Sequence, residues 1–123
     1  MKTTKRHRYR MGLWSERFVA LWYRLKGFRI LGRRLRTPVG EIDVLALKGS
    51  YLVIIEVKYR RTGTADGVLT PHQQMRLNRA AAFVLQRQWR QQKSQAPQDL
   101  QVCFDLVLIR PWKWPQRITY SGR

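Results

Sequence analysis

Between Leu13 and Lys26 the apolar residues Trp14, Phe18, Leu21, Trp22 and Leu25 recur at i, i+4, i+7, i+8 and i+11, the spacing of one helical face. Ser15 suits a cap at the start of this helix, and Gly27 stands where it would stop. The pattern then changes period. Phe28 to Arg36 reads as a strand, with Gly32 a site for a bulge, and Thr37-Pro38-Val39-Gly40 carries a turn. Glu41 to Lys48 and Tyr51 to Arg60 are the clearest strands, and Gly49-Ser50 between them suits a type II′ hairpin turn. After a polar loop from Arg61 to Leu69, Thr70, Pro71 and Gln73 form a capping box with proline at the first helical position. Leu77, Ala80, Ala81, Val84, Leu85 and Gln88 carry that helix on to about Arg90. Gln91 to Gln98 is a polar linker, Val102 to Ile109 a buried strand, and Arg117 to Tyr120 a short edge strand at most. The predicted order is αβββαβ, with that last strand as an addition. It belongs to the α/β class, a mixed sheet flanked by helices.

Composition narrows what such a fold is for. The chain has 123 residues, 25 Lys plus Arg against 7 Asp plus Glu, and a net charge of +18. This length predicts a single domain over residues 12–110, with a flexible basic arm at 1–11 and a basic, aromatic tail at 111–123. No run approaches the ~20 apolar residues of a membrane span, and no apolar segment of the secretory kind follows the first charges. The expectation is a cytoplasmic protein with no membrane partner. A single cysteine, Cys103, excludes an internal disulfide and a cysteine-rich zinc site. The charge calls for a polyanionic partner, nucleic acid above all.

Against that excess of cations, each acid is informative. If Gly49 and Ser50 are the two turn residues, Lys48 pairs with Tyr51, Asp43 falls opposite Glu56, and Glu41 falls opposite Lys58. Glu56 and Lys58 share one face, while Val53, Ile55 and Val57 point to the other. Opposed carboxylates repel unless something compensates, and a divalent cation is a natural compensator. Mg²⁺ takes carboxylate oxygens, keeps several waters and is completed by substrate phosphate. A lysine on the same face can hold the attacking water or offset the charge of the phosphate. Structural ion pairs, Lys58 with Glu41 and Glu56 with an arginine, are the alternative use of the same residues.

The stretches Gly40-Glu41-Ile42-Asp43-Val44-Leu45 and Val53-Ile54-Ile55-Glu56-Val57-Lys58-Tyr59-Arg60 resemble the YraN family of small bacterial proteins. Those are predicted nucleases, similar to archaeal Holliday-junction resolvases within the PD-(D/E)xK restriction-endonuclease-like superfamily. The likeness spans about Gly12 to Ile109 and includes Glu16, Lys26-Gly27-Phe28, Gln74, Arg76-Leu77, Arg79-Ala80-Ala81 and Phe104-Asp105-Leu106-Val107. It implies a restriction-endonuclease-like mixed sheet core. It implies Asp43 and Glu56 as ligands of Mg²⁺ or Mn²⁺ with the Val57 carbonyl, and Lys58 as the residue that assists the water. It adds Glu16 from the first helix and Gln74 from the second, and it suggests DNA, branched or structured, as substrate and a homodimer as the working form. Ser15 stands where that family usually has glycine, Gln73 where lysine is common, and Arg33 or Arg34 where Asn-Trp is usual.

Other residues have plainer readings. Lys58, Arg60 and Arg61, with Arg76, are candidate phosphate contacts. Asp105, in an apolar strand, needs a partner, and an arginine is the default. His72 reads as a surface residue and Cys103 as a core one. Trp112 and Trp114, beside Lys113 and Arg110, read first as packing residues and second as a stacking surface for bases. The competing functional readings are a non-catalytic nucleic-acid-binding module and a small protein docking on structured RNA.

Overall fold

The computed structural model describes residues 2–60, 69–92 and 100–121. Its elements are α1 (Lys2–Leu25), β1 (Arg29–Thr37), β2 (Gly40–Lys48), β3 (Tyr51–Tyr59), α2 (Pro71–Gln92), β4 (Gln101–Ile109) and β5 (Gln116–Ser121). The five strands form one sheet in the order β1-β2-β3-β4-β5. Only β3 and β4 are parallel, because α2 carries the chain back across the sheet between them. The observed order is therefore αβββαββ, with the edge strand β5 completing the α/β fold.

Local sequence accounts for the boundaries. Gly27 ends α1 at φ 94°, and the Phe28 amide donates back to the Tyr23 carbonyl, as expected of a glycine C-cap. At the start of α2 the Thr70 amide donates to Gln73 Oε1 and the Gln73 amide to Thr70 Oγ1, which is the capping box. Gly49 takes φ 60° and Lys48 pairs with Tyr51, so the hairpin turn has the predicted type and register. The register of β1 on β2 shifts between Ile30 and Gly32, at the expected bulge.

Three expectations for α1 need correction. The helix begins at Lys2, so the backbone of residues 2–11 continues it instead of forming a separate arm. Lysine and arginine are good helix formers, and no glycine or proline interrupts 2–11. Ser15 is consequently mid-helix and fully buried, not a cap. The packed face is also only partly the aromatic stripe, which reaches the core through half-buried Phe18 and Trp22. Ser15, Val19, Ala20 and Tyr23 are buried, whereas Trp14, Leu21 and Leu25 are exposed. Small Ser15 and Ala20 let the helix axis lie close to the sheet, which the bulky stripe would prevent.

The core has two parts, one on each sheet face. Val19, Ala20 and Tyr23 of α1 pack with Val44, Ala46, Val53, Ile55, Val107 and Ile109. On the opposite face Leu77, Ala80, Ala81, Val84 and Leu85 of α2 pack with Ile42, Leu45, Leu52, Ile54 and Phe104. Among the described residues, no helix is long and apolar enough to cross a membrane.

Candidate active site

The hairpin opens into a fork. β2 and β3 pair from Lys48 with Tyr51 only as far as Val44 with Ile55. Beyond that point Ile42 and Glu41 pair with β1, and Glu56 to Tyr59 pair with β4. The strands thus part at Asp43 and Glu56. Alternation in β2 breaks at the same place, since Ile42 packs on the α2 side and Val44, two residues on, packs on the α1 side. Across the β1–β2 ladder, Arg34 lies between the pairs Arg33–Val44 and Leu35–Ile42 and takes φ 49°, a strained conformation for an arginine.

The acids close the fork. Asp43 Oδ2 accepts the Val57 amide at 2.9 Å, replacing a ladder bond that the parted strands no longer make. In an extended strand the N–H and C=O of one residue leave on the same edge, so the Val57 carbonyl opens toward the fork too. The Asp43 and Glu56 carboxyls lie close enough to act on each other's ionisation. Burial, then the neighbouring Asp43 charge, push Glu56 up to about 8, and Lys58 opposes the shift. Burial also raises Asp43, against the pull of the Val57 amide.

Glu16 reaches the same place from α1. Burial and then the charge on Asp43 raise it to about 7, against Arg34 and Arg33. Its Oε2 lies 3.7 Å from Arg34 Nε and has no hydrogen-bond partner. On an ideal helix Glu16 points away from the aromatic stripe. That side, with Ser15 and Ala20, is packed on the sheet, which brings Glu16 to Asp43. Arg34 was not among the predicted site residues. Its left-handed backbone is invisible in composition, and an arginine-rich strand conceals which arginine matters.

Other predicted residues divide. Lys58 is half-buried and acts on Glu56 by its charge. Glu41 does not pair with Lys58; it lies on the β1 side of the fork and holds exposed Arg36 at 3.0 Å. Gln74 is not brought to the acids by any hydrogen bond of its side chain, whose Nε2 donates to the Leu69 carbonyl at 2.9 Å. Arg60 is exposed just past Lys58, with its amide on the Ile109 carbonyl. Arg76 is exposed on α2, its aliphatic stem over Gly40. Arg61 lies outside the described residues. Asp105 is buried, but its oxygen takes the Tyr23 hydroxyl and not the expected arginine; Arg117 contacts that tyrosine. An apolar pocket beside α1 can supply a hydroxyl donor as well as a cation, and sequence distance hid the pair.

The donor set suits a hard divalent cation that keeps its waters. Among the described residues no three histidine, cysteine or acidic side chains are gathered to enclose a metal alone. Two carboxyls and the Val57 carbonyl edge match the partial shell that Mg²⁺ accepts, the rest being completed by water and phosphate.

A family model described as "Uncharacterised protein family UPF0102" matches residues 15–109, from Ser15 on α1 through the fork to the end of β4. A UPF0102 protein of Parvibaculum lavamentivorans is 44% identical over 118 residues, covering 94% of this chain and 83% of its own length. One of Maricaulis maris is 40% identical over 94% of this chain and 87% of its own, and one of Bartonella bacilliformis 40% over 95% and 92%. With the matched span taking in the second part of α1, all of α2 and four of the strands, the chain belongs to UPF0102, the YraN family.

Proposed function

We propose that this chain is a metal-dependent nuclease-type protein acting on phosphodiester bonds of DNA, with its site in the β2–β3 fork. One observation carries this reading. Asp43 and Glu56 are held against each other, half-buried and short of charge compensation, in a protein whose net charge is +18. A fold does not retain two repelling carboxyls in a strand opening for stability, whereas a phosphate-bound cation resolves the repulsion.

Asp43 and Glu56, with the Val57 carbonyl, would hold Mg²⁺ or Mn²⁺, which when bound supplies Lewis-acid polarisation of the phosphate and a water of lowered pKa. Asp43 is fixed for this by the Val57 amide, so its second oxygen is directed by the backbone. Lys58, on the same strand face as Glu56, orients water or offsets charge growing on the phosphate. Glu16, raised to about 7, can take up or release a proton at Oε2 near neutral pH. Exposed Arg60 stands next along β3 to grip a flanking phosphate.

The test is incubation of purified protein with junction, flap, linear and single-stranded DNA in Mg²⁺, Mn²⁺ or EDTA, beside Glu56→Ala and Lys58→Ala. Metal-dependent cutting that both variants lose is the expected result. Tight binding without cutting in any metal, unchanged by either substitution, would favour a non-catalytic nucleic-acid-binding module.

A further inference from the structure

The connection between β4 and β5 displays two tryptophans to solvent. Trp112 is 102% exposed and Trp114 is 89% exposed, so neither serves as the packing residue that sequence spacing suggested. Trp112 also holds φ 62°, a left-handed conformation that bulky side chains rarely adopt. These rings face a groove of about 590 Å³ whose other wall is Trp14 and Phe18 of α1, with Tyr59 and Ile109 at its floor. Trp14 and Phe18 are themselves stacked, with ring centroids 5.6 Å apart and planes at 14°. Arg110 and Lys113 line the same groove.

The groove lies on the α1 face of the sheet, at the ends of β3 and β4, where Tyr59 pairs with Ile109. Glu56 and Lys58 alternate with Val57 and Tyr59 along β3, so they leave from the other face.

We propose that the groove binds unpaired nucleobases of a single strand. Flat aromatic faces, left open to water and interleaved with cations, match the combination that single-stranded nucleic acid presents, planar rings on a polyanionic backbone. A paired duplex keeps its faces stacked inside and could reach only the cations. Charge complementarity singles out this occupant over an apolar protein segment, since the chain carries +18 and the lining adds two cations and no acid. The proposal goes beyond the nuclease reading, because it names the structural class of nucleic acid that this face holds whether or not the fork cuts it.

Binding is read without cutting, in EDTA, by fluorescence anisotropy of a labelled oligo-dT and of a duplex of equal length at one fixed salt. In the double variant Trp112→Ala/Trp114→Ala, oligo-dT binding should weaken at least about fivefold, because loss of each stacking ring is felt directly. Duplex binding should change less than about twofold, because it is carried by phosphate contacts. The Trp112→Phe/Trp114→Phe variant should recover most of the oligo-dT affinity. Equal loss on both nucleic acids, or no loss on oligo-dT, would overturn the proposal. So would a parent protein that sediments as a dimer which Trp112→Ala/Trp114→Ala converts to monomer, because the groove would then be a self-association face. If no metal supports cutting but ring-dependent oligo-dT binding persists, the nuclease reading fails and the groove stands. If cutting depends on Glu56 while oligo-dT binding ignores the rings, the reverse holds.

Discussion

Helix α1 brings a side chain to two acid sites, and the sites are built differently. At one, Asp105 of β4 is buried and takes the hydroxyl of Tyr23. Burial first and the Asp105 contact second push that tyrosine well above its ordinary pKa, so it remains a donor throughout the usual pH range. One acid meets one permanent donor, and the site is closed. At the other, seven residues earlier on the helix, the side chain that arrives is Glu16, a further acid beside Asp43 and Glu56. There the relief is Arg34 at 3.7 Å from Glu16, the Val57 amide on Asp43, and the charge of Lys58 acting on Glu56. Burial alone therefore does not separate the two sites. What separates them is the balance, since one acid meets one donor at the first while three acids share these groups at the second.

The largest expected effect breaks the two sites apart by activity. Glu56→Ala and Lys58→Ala should each lower metal-dependent cutting at least about a hundredfold, the scale of a lost proton-transfer or charge-stabilising group. Tyr23→Phe should leave cutting within about threefold. It should cost about 1–3 kcal/mol in urea unfolding, because it strips a buried carboxyl of its donor. A Tyr23→Phe protein that is fully folded yet inactive would show that the two sites are one.

The next effect concerns stability, and it has opposite sign at the two sites. Glu56 stands at about 8 in the folded chain against 4.5 for the free side chain. Below the lower value both states carry the proton. As pH rises toward 8 the unfolded chain releases it while the folded one retains it, so stability falls across that window. Glu56→Gln should thus stabilise the metal-free protein by about 2 kcal/mol at pH 8 and much less at pH 4, in parallel denaturant titrations. Adding Mg²⁺ at pH 8 should raise the melting temperature of the parent and not of this variant, since mass action stabilises only the state that binds. A Glu56→Gln protein less stable than the parent at pH 8 would mean that the fork acids are structural after all.

How much of this was legible from sequence depends on the range of the interaction. The Gly49-Ser50 turn sets the hairpin register within a few residues, and from it the approach of Asp43 to Glu56 follows. The Thr70 capping box is equally local. The parting of β2 from β3 was not visible, because beyond Val44 and Ile55 each strand is held only by its outer partner, β1 or β4, and those pairings depend on segments elsewhere in the chain. The packed face of α1 misled for a physical reason. A helical wheel weighs apolar mass, but close approach to a sheet selects small residues, here Ser15 and Ala20, and leaves Trp14 to the groove. Tyr23 and Asp105, 82 residues apart, meet only through that choice of face.

The smallest effect isolates burial from sequence position. Glu41 is two residues from Asp43 and belongs to the same Glu-Ile-Asp run, yet it lies outside the fork, paired with exposed Arg36 at 3.0 Å. Exposed ion pairs contribute about 0–1 kcal/mol. Glu41→Gln should therefore change unfolding free energy by no more than about 0.5 kcal/mol, and cutting by no more than about twofold. Asp43→Asn, one turn of the pleat away, should abolish cutting while keeping the fold, since an amide oxygen still accepts from Val57. If Glu41→Gln matched Asp43→Asn in activity, the acid set would extend to the β1 side. The parting of the strands would then be incidental to the chemistry, because an exposed acid outside the fork would be doing the same work as one held inside it.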